Sequence, residues 1–143
     1  MSVQIFMVGI KALILNEDNK ILMLHLPKWS GIPAHWDFPG GRMDPGETMI
    51  QTLKRELKEE IGVNMASKPK QLSSFLTNIT IPYNDTRLPL IFIVYKVKLP
   101  KNTLITLDPS TREDKYDWFS PSEAVKKMST KFPKEFCKIV SQL

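Results

Sequence analysis

Four glutamates and one arginine carry most of the chemistry this chain could perform: Glu47, Arg55, Glu56, Glu59 and Glu60. They fall within one stretch, GRMDPGETMIQTLKRELKEEIGV, from Gly41 to Val63. Pro45-Gly46 marks a turn. Thr48, with Gln51 three residues on, predicts a helix start at which each residue satisfies a backbone N–H of the other. Helix-favouring residues run to Ile61, and Gly62 supplies the left-handed position that ends a helix. On that helix Glu56, Glu59 and Glu60 share one face. Ile50, Leu53, Leu57 and Ile61 fill the neighbouring face and are expected to meet a core.

An all-acidic face needs a reason. Carboxylates three or four residues apart on a helix sit about 5–6 Å apart and repel, by roughly 3 kcal/mol per pair at an effective dielectric of about 20. A hard divalent cation turns that repulsion into a binding site, because Mg²⁺ and Mn²⁺ prefer oxygen ligands. The bland alternative is a solvated acidic surface, the commoner meaning of such a run when the helix stands alone. The preceding loop changes the weighting. With ordinary residue usage, a chance match to all nine constrained positions is on the order of 10⁻⁸ for a chain of this length.

Those nine positions resemble a known signature. Gly41-x5-Glu47-x7-Arg55-Glu56-Leu57-x-Glu59-Glu60-x-Gly62-Val63 is similar to the Nudix hydrolase box at every position, and Phe38-Pro39-Gly40 just before it also looks like the family. The resemblance implies an α+β fold, a mixed β-sheet sandwiched between α-helices (α/β/α). It implies hydrolysis of a nucleoside diphosphate linked to a further group, with Mg²⁺ or Mn²⁺ as cofactor. Glu56, Glu59 and Glu60 would form the metal-binding face, and Glu56 is also a candidate to activate the attacking water. Glu47 and Arg55 would form the ion pair that orients Glu56, and the Gly40 carbonyl would be an additional metal ligand. An ordinary surface salt bridge is the alternative for Glu47 and Arg55.

The chemistry is consistent with these assignments. Pyrophosphate hydrolysis needs neutralised phosphate oxygens and a positioned, partly deprotonated water, both of which clustered divalent ions supply. A carboxylate there serves as base or as ligand, and spacing does not separate the two. An arginine presents a planar fork suited to a carboxylate. The family commonly carries one more acidic residue shortly before a tryptophan-containing strand. Glu113, five residues before Trp118, is the best match as metal ligand or base, with Asp114 and Asp117 as alternatives.

The remaining elements must position this stretch. At 143 residues, 42% hydrophobic and 24% charged, one globular domain spanning 1–143 is expected, with no repeat and no run long enough for a membrane span. The apolar start, Met1 to Ile10, lacks a basic leader and is interrupted by Lys11, so it reads as a strand and not a signal peptide. Cys137 is the only cysteine, which fits a cytoplasmic protein. The net charge of +5 would help collect a polyanion, although a charge this modest is better explained by solubility.

Gly9 to Leu15 and Lys20 to Leu26 read as paired strands joined at Asn16-Glu17-Asp18-Asn19, and Pro27 to His35 as a loop. Gln71 to Ile81 and Leu88 to Leu99 read as two further strands, and Pro100 to Lys115 as a long polar loop of a functional kind. Ser120-Pro121-Ser122-Glu123 predicts a capped helix through about Met128, and Phe132 to Leu143 a final helix. Trp29, Trp36, Phe38, Tyr83 and Trp118 are the candidates for substrate contact, as aromatic faces on which a base stacks. His25 and His35 lack metal-ligand spacing. The basic C-terminal part, Lys126 to Lys138, does not by itself point to nucleic acid.

Substrate identity is the least determined feature. The local patterns of NADH and coenzyme A hydrolases are missing, and Pro82 and Tyr83, 19 and 20 residues after Val63, lie beyond the usual ADP-ribose and dinucleoside-polyphosphate positions. A (d)NTP pyrophosphatase of the MutT kind, acting on a small-molecule nucleotide as monomer or homodimer, is the first expectation. An ADP-ribose, nucleotide-sugar or dinucleoside polyphosphate hydrolase is the second. A non-catalytic nucleotide-binding sensor is the rival from another class, although such a module is expected to lose box acids that this chain keeps.

Overall fold

The structure is a computed structural model describing residues 1–143. Seven strands and three helices follow one another as β1 (Met7–Leu15), β2 (Ile21–Leu26), β3 (His35–Asp37), β4 (Gly40–Arg42), α1 (Met49–Ile61), β5 (Lys70–Tyr83), β6 (Thr86–Lys98), β7 (Lys115–Phe119), α2 (Pro121–Lys127) and α3 (Lys134–Ser141).

The strands form one mixed sheet. Its main path runs β3-β2-β1-β6-β5, with β4 added to β1 and β7 to β2. Only β1 and β6 run parallel, in a register that sets Lys11 opposite Val94 and Leu15 opposite Lys98. The other pairs are antiparallel. Because side chains alternate across a strand, β1 divides its apolar residues between two cores. Ile10, Ala12 and Ile14 face α1 together with Leu53, Leu57 and Ile61. Leu13 and Leu15 face α2 and α3 together with Ala124, Phe136 and Val140. The sheet is thus sandwiched between helices, the expected α+β architecture.

Several boundaries differ from the sequence reading. Residues 1–6 are exposed and precede the first strand, which begins at Met7. The segment from Pro27 to Arg42 contains two three-residue strands, β3 and β4. Both are too short for periodicity to register, and their pairing with β2 and β1 creates them. The last helix begins at Lys134 with Pro133 at its N-cap, because proline fixes the entry angle and has no N–H to give. Met128 caps α2 as expected. No helix is long and apolar enough to cross a membrane.

Candidate active site

The loop and helix that carry the acidic residues take the expected local form. The Thr48 hydroxyl accepts from the Gln51 N–H at 3.1 Å while Gln51 Oε1 accepts from the Thr48 N–H at 2.8 Å. Gly62 ends α1 with φ +69°. Leu53, Leu57 and Ile61 are buried against the sheet, which fixes the rotation of α1 and aims its acidic face at β4.

Arg55 organises that face. Its Nε donates to Glu47 Oε2 at 2.7 Å and its Nη2 to Glu47 Oε1 at 3.0 Å. Its Nη1 reaches Glu56 Oε1 at 2.9 Å and Glu59 Oε2 at 3.3 Å. The Thr52 hydroxyl, fully buried on α1, adds a 2.9 Å bond to Glu47 Oε1. The Arg55 hydrogen bonds, with those from Asp44 N–H and Thr52, hold the Glu47 carboxyl down at about 2. Glu56 moves the other way: burial raises its pKa despite the pull of Arg55. Gly41 lies directly beneath Glu56, and a Cβ there would overlap its carboxylate.

Glu60 is the most buried of the four box acids, at 8% exposure. Its Oε1 accepts from the Gly40 N–H at 2.6 Å. Gly40 has φ +137° and stands opposite Lys11 on β1, where a Cβ would overlap the Ile10 carbonyl. Only glycine fits there. Burial and the neighbouring Glu113 carboxyl push Glu60 up to about 9. Burial opposes ionisation of Glu113 as well, but hydrogen bonds from Glu60 and Thr111 outweigh it and lower its pKa. Two carboxyls sharing one proton behave in this way: one is held neutral and the other ionises more easily.

Of the three loop acids considered, only Glu113 lines the cavity beside the helix. Asp114 turns away to His25 Nδ1 at 2.7 Å, and Asp117 accepts its neighbour Trp118's N–H at 2.7 Å.

The cavity beside these acids has a volume of about 340 Å³. Leu24, Leu26, Phe38, Ile81, Leu90 and Phe92 give it apolar walls, and Glu60, Glu113, Arg42 and Arg112 line its acidic and basic margins. Lys11 and Asp37 also line it. Lys11 Nζ donates to Asp37 Oδ2 and to the Phe38 carbonyl, both at 3.2 Å, and Lys131 Nζ donates to the same Asp37 oxygen at 2.5 Å. Burial works against the Asp37 charge, yet the two lysines hold its carboxyl down at about 2. Burial also opposes charge on both lysines. Asp37 and Glu60 prevail at Lys11, which is raised, whereas at Lys131 desolvation prevails and the pKa is lowered.

The candidate aromatics lie elsewhere, except Phe38. Phe38 lines the cavity but is only 1% exposed, packed edge-on against Phe132 and Phe136. Trp29, Trp36, Tyr83 and Trp118 are not among the cavity's lining residues. Trp29 is exposed, with Arg112 5.2 Å above its ring. Trp36 packs edge-on against His25 and Phe119. Tyr83 sits at the β5–β6 turn and Trp118 on β7 packs toward the α1 core.

Sequence reasoning missed Thr52, Lys11, Asp37 and Lys131. Lys11 had left a trace, as a lone charge inside an apolar strand; Thr52, Asp37 and Lys131 had not.

No three acidic side chains converge as a ready-made cage, because Arg55 draws Glu56 and Glu59 while Gly40 holds Glu60. The donor set nevertheless fits a hard divalent cation. All of its side-chain atoms are carboxylate oxygens, and Glu113 Oε2 is buried with no donor to satisfy it.

Comparison with known proteins agrees with this geometry. A family model described as the NUDIX domain matches residues 6–138, and the chain belongs to that family. It is similar to the CTP pyrophosphohydrolase of Escherichia coli (strain K12), 40% identical over 57 residues, or 40% of this chain and 42% of that one. It is also similar to an 8-oxo-dGTP diphosphatase of Proteus vulgaris, 38% identical over 52 residues, 36% of this chain and 46% of that one. The chain thus spans less than half the length of these curated relatives. Among solved structures it resembles the MutT protein from Methanosarcina mazei Go1, with TM-score 0.67 and 24% identity, over 99% of this chain and 95% of that one; that likeness shows the fold.

Proposed function

We propose that this protein is a divalent-metal-dependent pyrophosphohydrolase of the MutT kind, converting a (deoxy)nucleoside triphosphate and water to the monophosphate and pyrophosphate. The observation that carries the reading is the acidic face of α1, held by Arg55 and opening beside a cavity with apolar walls. The activities for which the two relatives are named, on CTP and on 8-oxo-dGTP, support a nucleotide substrate.

Glu56, Glu59 and Glu60, with the Gly40 carbonyl and Glu113, would hold Mg²⁺ or Mn²⁺. A bound ion supplies charge neutralisation at the phosphate oxygens and a water that gives up its proton near neutral pH. The chain's own residues do the rest. Arg55 engages Glu56 Oε1 and so leaves Oε2 free to accept that proton. Glu56 is half-buried and held at one oxygen, which positions it as a general base. Glu47 and Thr52 keep Arg55 in one orientation. Leu24, Leu26 and Phe92 give the cavity an apolar wall against which a nucleoside packs.

The test is a hydrolysis panel with products identified by mass, covering ordinary and oxidised nucleoside triphosphates, ADP-ribose, nucleotide sugars, dinucleoside polyphosphates and capped RNA. Triphosphates are expected to yield monophosphate and pyrophosphate, and a chelator to abolish turnover. Absence of turnover with both Mg²⁺ and Mn²⁺, while nucleotide still binds, would make this a sensor instead.

A further inference from the structure

Four arginines occur in the chain, and two of them have committed side chains. Arg55 engages Glu47, Glu56 and Glu59, and Arg87 engages the Thr80 hydroxyl and carbonyl. Arg42 and Arg112 line the cavity, and their guanidinium groups hydrogen-bond to nothing within the protein. Of these two, Arg112 is braced. Its guanidinium carbon lies 5.2 Å from the centroid of the Trp29 ring.

Both sides of that contact stand on closed loops. The Trp29 N–H donates to the Ile32 carbonyl at 3.0 Å and the Ile32 N–H to the Trp29 carbonyl at 2.8 Å. Ser30 and Gly31 between them have φ +45° and +81°, the positive pair of a tight hairpin turn. Arg112 lies between two backbone ties, Thr111 N–H to the Asp108 carbonyl at 3.1 Å and Asp114 N–H to the His25 carbonyl at 3.0 Å. A contact with a ring face uses none of the five guanidinium N–H donors. Glu113 Oε2, on the next residue, has no donor, yet Arg112 does not pair with it.

We propose that Arg112, braced by Trp29, binds the terminal phosphate of the substrate and so selects triphosphates over diphosphates. The inference rests on the reading that the cavity hydrolyses a nucleotide between its first and second phosphates. That bond belongs at the acidic face, where Glu113 faces Glu60. Arg112 adjoins Glu113 but is exposed where Glu113 is half-buried, so it stands further out. The third phosphate of a triphosphate extends that way, and a diphosphate has none to offer. A guanidinium fork takes two phosphate oxygens at once. A polyphosphate carrying its divalent cation satisfies both unengaged groups, the cation at Glu113 and the terminal phosphate at Arg112. Trp29 touches no substrate in this arrangement and is a positioning residue.

Analogues that cannot be cut test this apart from turnover. Calorimetry in Mg²⁺ measures binding of the α,β-methylene forms of CTP and CDP, and of GTP and GDP. The triphosphate of each pair is expected to bind about tenfold tighter or better, as for a hydrogen bond to a charged group. Arg112→Gln brings the ratio towards one by weakening the triphosphate, while the diphosphate is held as before. Arg112→Lys, which keeps the charge and loses the fork, recovers part of the ratio. Trp29→Leu lowers it by a smaller factor, and Trp29→Phe, which keeps a ring, restores it. The same ratio is expected in kcat/KM for the hydrolysable nucleotides. Equal affinity for tri- and diphosphate in the unmodified protein overturns the proposal. So does an Arg112→Gln variant that weakens both members alike or neither, or failure of all four analogues to bind. A triphosphate preference that Arg112→Gln abolishes, without hydrolysis of the ordinary nucleotides, would sustain this inference and refute the proposed enzyme. Hydrolysis with a preference that survives Arg112→Gln would do the opposite.

Discussion

Arg55 grips Glu47 through two parallel hydrogen bonds, Nε to Oε2 at 2.7 Å and Nη2 to Oε1 at 3.0 Å, and reaches Glu56 Oε1 with its remaining nitrogen at 2.9 Å. One planar group thus ties the loop before α1 to the candidate base on α1. A lysine has a single ammonium and cannot make the paired contact and reach Glu56 at once. Arg55→Lys is therefore expected to lower kcat at least about tenfold, since small misplacements of a reacting group are costly. Its melting temperature should fall only a few degrees, because the pair is partly exposed and such pairs contribute about 1 kcal/mol or less. Steady-state kinetics beside a thermal melt checks both, and unchanged kcat would remove Arg55 from the mechanism.

Gly40 and Gly41 separate positioning from folding. A Cβ on Gly41 meets first the Glu56 carboxylate, the far end of a flexible side chain that can swing away. Gly41→Ala should keep the fold and lose most activity, because Glu56 is displaced. A Cβ on Gly40 meets the backbone of Ile10 and Lys11 at φ +137°, and neither can move without breaking the β1 pairing. Gly40→Ala should cost about 2 kcal/mol or more in stability. If Gly41→Ala retains full kcat, the close approach to Glu56 has no functional meaning.

Much of this was legible in the sequence, and the reason is local. The N-cap at Thr48, the stop at Gly62 and the apolar stripe through Leu53, Leu57 and Ile61 depend on neighbours within a few turns. The acidic stripe follows from the same periodicity. What escaped depends on contacts far apart in sequence. Strands β3 and β4 exist because β2 and β1 pair with them. Asp37 acquires its role only when Lys131, 94 residues away, folds back upon it. Trp29 and Tyr83 were offered as stacking faces by residue type, a property that does not encode where a loop points.

Glu60 predicts a pH dependence of stability. Its folded pKa, pushed up to about 9, stands above the ordinary glutamate value of 4.5. Between those values the folded protein binds more protons than the unfolded chain, so stability falls as pH rises. The contribution is fully present below about pH 4.5 and is lost as pH passes the folded value. Metal-free protein should therefore melt at lower temperature at pH 8.5 than at pH 6, by several degrees if roughly 1–2 kcal/mol is at stake. Mg²⁺ should raise the melting temperature more at the higher pH, since a ligand that binds only the folded state stabilises it. Glu60→Gln should flatten both trends, and a variant that keeps the slope would assign it to another group.

Glu113 and Asp114 are neighbours with opposite fates, and that contrast makes the last prediction. Asp114 Oδ1 binds His25 Nδ1 at 2.7 Å, and its N–H binds the His25 carbonyl at 3.0 Å. The loop is thereby pinned to the end of β2, leaving Glu113 to face Glu60 with its Oε2 unsatisfied. Glu113→Gln removes a charge from the proposed metal site and also the carboxyl that faces Glu60. It should weaken metal affinity and lower kcat at least about tenfold, within the range for a positioned proton-transfer group. His25→Ala leaves the carboxylate in place and loosens only its anchor, so its loss should be about threefold, roughly 0.6 kcal/mol. Metal titration followed by calorimetry separates the two. If His25→Ala proves as damaging as Glu113→Gln, the loop acts by its position and Glu113 holds no metal.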